Sequence, residues 1–204
     1  MTKEIELTGD SGDYELLTKA VELSAHVQGA TLELGLRRGG GTKFIMDAIA
    51  AFCPHKTHIA IDPYGNILYA HKEGEVVRLD YTNEMRDECL SNVYQYAIQK
   101  KVNFLFFNME DSEYFTRFSD GVPIYQQEKQ LIEKYSVVHF DGPHDVKTIK
   151  EEMSFFLMRT PIGGTWVFDD VTDFYDHDEI EIILFKQGFE LIEKKQKKAL
   201  YQKK

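Results

Sequence analysis

The sequence predicts an α/β fold: a mostly parallel sheet between layers of helices, finished by an antiparallel hairpin. Three observations carry that prediction. Strand and helix signals alternate from one end of the chain to the other, the order that builds parallel sheets from βα units. Four of the first five strand signals close on a glycine or a carboxylate at their C-terminal end, where open α/β sheets bind ligands. The last two strand signals follow each other with no helix between them, which calls for a hairpin.

The elements follow in order. Tyr14 to Val27 places Leu16, Leu17, Ala20, Val21, Leu23 and Val27 at helical spacing. Ala30 to Leu34 is a short strand that runs into glycines. Lys43 to Phe52 reads as a helix, and Thr57 to Ile61 as a second strand, stopped by Asp62-Pro63. Tyr64 to Tyr81 has no clear period and is expected to be an irregular segment covering a site. Thr82 is placed to cap a helix to about Lys100. Val102 to Phe107 is almost wholly apolar and reads as a buried strand. Asp111 to Val122 is expected to be irregular and Ile124 to Lys134 helical. Ser136 to Phe140 is a strand closed by Asp141, and Val146 to Met158 a helix. Pro161-Ile162-Gly163-Gly164 turns into the strand Thr165 to Phe168, closed by Asp169-Asp170. Asp178 to Lys186 is helical. Phe189 to Glu193 and Ala199 to Gln202 form the terminal hairpin, for seven strands in all.

The chain has 204 residues, 43% of them apolar, so one domain spanning 1–204 can fill a packed interior, with 1–28 as an N-terminal helical cover. No stretch is long and apolar enough to cross a membrane. Met1 to Leu7 alternates charged and apolar residues, unlike a signal peptide. The two cysteines, Cys53 and Cys89, share no metal or redox spacing and read as buried free thiols of a cytoplasmic protein. The net charge of -10 opposes a phosphate-backbone partner. The basic exception is the tail, where Lys194, Lys195, Lys197, Lys198, Lys203 and Lys204 read as a lysine-protected, solvated edge strand. A small-molecule partner is expected, with no nucleic acid and no membrane; whether the chain forms a homo-oligomer is left open.

The segment Thr31 to Phe44 reads TLELGLRRGGGTKF. Glycine lets a chain turn sharply and approach a ligand, and the helix N-terminus behind it offers free N–H groups. Glu33 lies in the strand itself, where a carboxylate is poorly solvated. There is no Gly-Lys-Ser/Thr, which argues against a nucleoside triphosphatase. Glu33-Leu34-Gly35-Leu36-Arg37-Arg38-Gly39-Gly40 resembles the acidic-x-Gly-x-x-x-Gly motif of class I S-adenosylmethionine (SAM)-dependent methyltransferases. With the following small residue and Thr42, it is most similar to the branch of macrolide-sugar O-methyltransferases and cephalosporin-hydroxylase-type proteins. The resemblance covers about Ala30 to Lys203 and implies a Rossmann-like three-layer sandwich. It implies that Glu33, Gly35, Gly39, Gly40 and Thr42 bind the cofactor, with the glycines facing the methionine half of SAM. It puts Asp62 on the ribose hydroxyls, for which a carboxylate has the acceptors, and the Asn108-Met109-Glu110-Asp111-Ser112 segment, with Asp111 and Ser112, at adenine.

Asp141 and Asp169-Asp170 end two strands that this topology makes neighbours, about 4.8 Å apart. Three carboxylates so close repel one another unless a cation compensates. All-oxygen ligation suits a hard ion, so Asp141, Asp169 and Asp170 are candidate ligands of Mg²⁺; helix capping is the rival role. The resemblance implies that such a metal holds the acceptor oxygen for methylation. The branch pattern after the fourth strand is commonly Asp-Gly-Asp-His. Here it is Asp141-Gly142-Pro143-His144, which leaves His144, with Asp141, as the candidate proton acceptor. Arg37 and Arg38 are placed to meet a carboxylate of cofactor or substrate, or simply to face water. The reading is O-methylation of a small hydroxylated acceptor, such as a sugar. The alternatives are an NAD- or nucleotide-sugar-binding enzyme, disfavoured by the missing Gly-x-Gly-x-x-Gly, and a non-catalytic SAM-binding module, kept open by Pro143.

Overall fold

The computed structural model describes residues 5, 7–72, 74–78, 81–125, 128–172 and 174–204. Most of Met1 to Leu7 therefore lies outside the described residues. In chain order the elements are α1 (Glu15–Leu23), β1 (Ala30–Leu34), α2 (Gly40–Phe52), β2 (Thr57–Ile61), β3 (Leu68–Lys72), β4 (Glu75–Arg78), α3 (Asn83–Lys100), β5 (Asn103–Phe107), α4 (Asp111–Arg117), β6 (Val122–Tyr125), β7 (Lys129–Ile132), β8 (Tyr135–Phe140), α5 (Val146–Leu157), β9 (Thr165–Phe168), α6 (His177–Lys186), β10 (Phe189–Lys194) and β11 (Ala199–Lys203).

Seven strands make one sheet in the order β10-β11-β9-β8-β1-β2-β5. Five of them run parallel, and β11 joins β9 antiparallel with β10 outside it. The fold is a Rossmann-like three-layer sandwich, as the sequence predicts. Strand order reverses between β1 and β8, so the crevice for a ligand opens at their C-terminal ends.

The side chains divide by the strand period of two. Leu32, Leu34, Ile59, Ile61, Val138, Phe140, Trp166 and Phe168 pack toward Ile149, Met153 and Phe156 of α5 and Ile180 and Leu184 of α6. Ala60, Val137, Val167 and Leu200 pack toward Leu17 and Val21 of α1, Ile45 and Ile49 of α2 and Val93 of α3. Burying one such large side chain stabilises the fold by roughly 1.5–3 kcal/mol. Trp166 is fully buried and donates its Nε1–H to Thr160 at 2.8 Å. The helices begin where capping side chains stop the backbone: Thr82 accepts from Met85 N at 3.0 Å, and Asp145 from Thr148 N at 3.1 Å.

Three segments depart from the periodicity. Ile124 to Lys134 is not helical; β6 and β7 form a hairpin pairing Val122 with Ile132 and Ile124 with Gln130. Its Gln and Glu content favours helix, but burial of Val122 in the core wins. Asp111 to Val122 is not wholly irregular: α4 is too short to show a period, yet Tyr114 anchors it completely inside. Within Tyr64 to Tyr81, β3 and β4 pair as a small hairpin.

Candidate active site

The crevice at the strand ends is a cavity of about 430 Å³, within the range of small-molecule sites. Its floor is the glycine turn. Gly35 has φ +86°, and a Cβ there would lie 2.1 Å from the Asp141 carbonyl oxygen, so β1 and β8 meet only because this residue has no side chain. Gly39 (φ +79°) caps α2. The N-terminal segment crosses above the turn: Thr8 N donates to Arg38 O at 3.3 Å, and a Cβ on Gly40 would lie 2.5 Å from Gly9 Cα.

Glu33 is 1% exposed. The register sets it beside Ala60 on one side and His139 on the other. It accepts from the Thr42 hydroxyl, contacts His139 Nδ1 at 2.9 Å and lies 3.8 Å from His58 Nε2. Burial opposes its charge, but the two imidazoles outweigh it and hold its carboxyl down at about 2. Glu33 therefore braces the glycine turn from beneath, and Thr42 faces it rather than the cavity.

Asp62 ends β2 and is also inside the wall. Its Oδ2 accepts from Leu36 N and Arg37 N at 2.9 Å each, and its Oδ1 from Tyr64 N at 2.9 Å. Three of about four acceptor positions of the carboxylate are thus filled by backbone. Burial still pushes its carboxyl upward against those bonds. Arg37 is salt-bridged to Asp10, and Arg38 lies 3.7 Å from Glu88, so each has a protein partner at the surface. Among the residues the sequence assigns to SAM, Glu33, Gly35, Gly40, Asp62 and Asp111 line the cavity. Gly39, Thr42 and Ser112 do not.

The acids at the ends of β8 and β9 meet over the same cavity. They are not caps: the helices that follow are capped by Asp145 and Asp176. Asp169 is 1% exposed and accepts three hydrogen bonds. Its Oδ1 accepts from the Ser11 hydroxyl and from Asp170 N, each at 2.8 Å, and its Oδ2 from Lys198 Nζ at 2.6 Å. Burial works against its charge, but Lys198 and then His139 hold its carboxyl down at about 2. Asp141 takes the opposite direction: burial, then the negative Asp169, push it well above the usual carboxylate range. Asp170 has φ +50° and turns toward Lys197 Nζ at 3.4 Å and His144 Nε2 at 3.8 Å. His144 Nε2 is also 3.9 Å from Asp141 Oδ1, and neither ring nitrogen makes a full hydrogen bond among the described residues.

A divalent ion is the role the sequence gives these acids, and the donor set the structure gathers differs from the all-oxygen one expected for Mg²⁺. The atoms that converge, within 4.8 Å of one another, come from His139, Asp141 and Asp169; Asp170 stands apart. His139 replaces an oxygen donor with nitrogen, and Asp169 already accepts three hydrogen bonds, one of them from an ammonium. That ammonium corrects the reading of the lysine-rich tail as solvated: Lys198 is 0% exposed.

Sequence reasoning missed three further residues of the site. Glu152 is 1% exposed, faces the cavity, and neither of its oxygens accepts a hydrogen bond among the described residues. Burial, then the neighbouring Asp111, push its carboxyl well above the usual range. Its signal was present: a glutamate on the apolar face of α5, three residues after Ile149. His139 was legible as an ionisable residue in a buried strand. Lys198 carried no mark within its lysine run.

No family profile and no curated protein matches the chain. Solved structures do. The chain is similar to calicheamicin methyltransferase at 12% identity and TM-score 0.66, over 93% of this chain and 78% of that one; a second structure of it is described as a TDP-rhamnose 3'-O-methyltransferase. An O-methyltransferase from Bacillus cereus, bound to S-adenosylhomocysteine, aligns over 99% of this chain and 84% of its own at 10% identity and TM-score 0.61. The tomaymycin O-methyltransferase of Streptomyces achromogenes, bound to SAM, aligns over 96% and 81% at 12% identity and TM-score 0.59. The fold is that of the class I SAM-dependent O-methyltransferases.

Proposed function

We propose that this chain is a SAM-dependent methyltransferase acting on an oxygen of a small hydroxylated acceptor, a sugar being the type best supported. One observation carries the reading: a single cavity joins the glycine turn and Asp62 to the acid-and-histidine cluster of Asp141, Asp170 and His144. A cofactor cradle and a proton-handling group thus share one enclosed space. The acceptor type follows from the resemblance and from the sugar named for one fold relative. Partners other than that small molecule are not part of the reading, and among the described residues no helix is long and apolar enough to cross a membrane.

The residues present suit SAM. Gly35, Gly40 and Gly41 line the cavity where the methionine half would lie, Asp62 keeps one acceptor for the ribose, and Glu152 beside Asp111 offers unused acceptors to the adenine amine. Bound SAM supplies a sulfonium methyl that an acceptor oxygen attacks, leaving S-adenosylhomocysteine. The chain's own part is orientation and proton handling. Burial lowers the pKa of His144, so it is neutral near pH 7 and its Nε2 can take the acceptor's proton. Asp170, 3.8 Å from that nitrogen, stabilises the imidazolium it becomes. The apolar and aromatic wall, with Tyr64, Tyr69 and Phe174, keeps water from competing.

The test is calorimetric titration with SAM, in EDTA and in Mg²⁺, followed by assay of methyl transfer to a panel of nucleotide sugars. Micromolar SAM binding and a methylated sugar are the expected results. Absence of SAM binding under both conditions overturns the reading.

A further inference from the structure

We propose that Lys198 is the resident cation of the acidic site and that the site works without a divalent metal. The inference rests on the methyltransferase reading above. An ammonium has three protons to place, and the site provides three places. Lys198 Nζ lies 2.6 Å from Asp169 Oδ2, 3.2 Å from Ser11 Oγ, and 4.8 Å from the centre of the Tyr14 ring. The last is a cation–π contact. Ser11 closes the triangle by donating to Asp169 Oδ1 at 2.8 Å.

The pair is built into the sheet. Register sets Ala199 of β11 against Phe168 of β9, which brings the preceding Lys198 to the following Asp169. The tight end of the hairpin holds that register, with Lys195 N donating to Lys198 O at 2.8 Å and Val171 N to Lys197 O at 3.1 Å. A lysine fixed this way, with no exposure to solvent, is not displaced by a side-chain rotation alone. It occupies the charge-compensating role that three neighbouring acids demand, and it repels a second cation from the same carboxylates. Because the ammonium is walled off from the cavity by Asp169 and Ser11, Lys198 is a positioning residue: it keeps Asp169 ionised and oriented, and activation of the acceptor falls to a protein base.

Electron paramagnetic resonance of Mn²⁺ tests this on the full chain, beside SAM calorimetry in EDTA. Wild type is expected to leave the free-Mn²⁺ signal unchanged at stoichiometric concentrations and to bind SAM equally with and without EDTA. Lys198→Met uncovers Asp169 and is expected to strengthen Mn²⁺ binding by roughly tenfold or more. Lys198→Arg keeps the charge and keeps the ion out. The double variant Lys198→Met/Asp169→Asn loses the gained binding. Stoichiometric loss of the Mn²⁺ signal with wild type, abolished by Asp141→Asn, overturns the proposal, and needs no variant at Lys198 to fold. Failure of SAM to bind in any condition strikes the methyltransferase reading instead, while the Mn²⁺ titration still decides the role of Lys198.

Discussion

The two ends of the parallel sheet treat the same side chain in opposite ways. At the N-terminal end, Lys56 is 4% exposed and bonds only neutral groups: Ser24 O at 3.0 Å, Val27 O at 2.5 Å and Ser136 Oγ at 2.6 Å. Burial lowers its pKa with no carboxylate to resist it. At the C-terminal end, Lys198 is 0% exposed and faces a carboxylate. The first end uses a lysine as a staple across loops, and every proton on it has a partner. The second end gathers charge that the sheet alone does not need, and leaves the polar atoms of His144 and Glu152 unmatched. Unmatched buried groups are the mark of a site rather than of a scaffold.

The sharpest way to break the contrast is Gly35→Ala. The new Cβ would press on the Asp141 carbonyl at 2.1 Å, with φ at +86°. We expect a loss of more than about 3 kcal/mol in urea unfolding, together with loss of SAM binding. A near-neutral result would mean that the strands part easily at the reversal point, and that the cavity floor is not rigid.

The lysines themselves come next. Lys198→Met strands a buried carboxylate and is expected to cost about 3–5 kcal/mol. Lys56→Met leaves only carbonyls and a hydroxyl unsatisfied, for about 1–3 kcal/mol. Chemical denaturation of both variants measures the difference, and equal losses would erase the distinction between the two ends.

The same contrast explains what the sequence made legible. The parallel strands could be read because burial on both faces leaves them largely apolar, and because a glycine or carboxylate follows four of their C-terminal ends, where a ligand site belongs. Gly35, Asp62, Asp141 and Asp169 were picked out this way, and all four line the cavity. What escaped depends on pairing across distance. Lys198 reaches Asp169 only through the β9–β11 register, and the hairpin of β6 and β7 forms because Val122 and Ile132 share a core contact that no local period records. Thr42 belongs to a recognisable motif, and its hydroxyl is turned to Glu33 beneath the turn.

A smaller effect tests how far the charged end extends toward α6. His177 Nε2 lies 2.8 Å from Tyr201 Oη and its Nδ1 3.2 Å from Tyr175 Oη, which in turn donates to Asp169 O at 3.1 Å. Burial, then Lys194, lower its pKa from 6.5 to about 4. The unfolded chain therefore binds a proton that the folded chain refuses. The contribution is intact above pH 6.5 and is lost as pH falls from 6.5 to about 4, for up to about 3 kcal/mol. Denaturation midpoints of wild type and His177→Gln should converge at low pH and separate above that window. Parallel curves would show that His177 titrates as in the unfolded chain.

The smallest effect has the opposite sign. Glu152 is a buried carboxyl with no hydrogen bond among the described residues, so the folded chain bears its desolvation for no internal return. Glu152→Leu should raise stability by about 1–2 kcal/mol, because an apolar side chain of similar length suits the face of α5 shared with Ile149 and Met153. The same substitution should weaken SAM binding by roughly tenfold, since the cavity loses acceptors for a polar ligand. Thermal unfolding and calorimetry on one preparation measure both. A variant that is more stable and binds less tightly identifies Glu152 as a binding residue held against the preference of its helix. One that loses stability returns it to the scaffold.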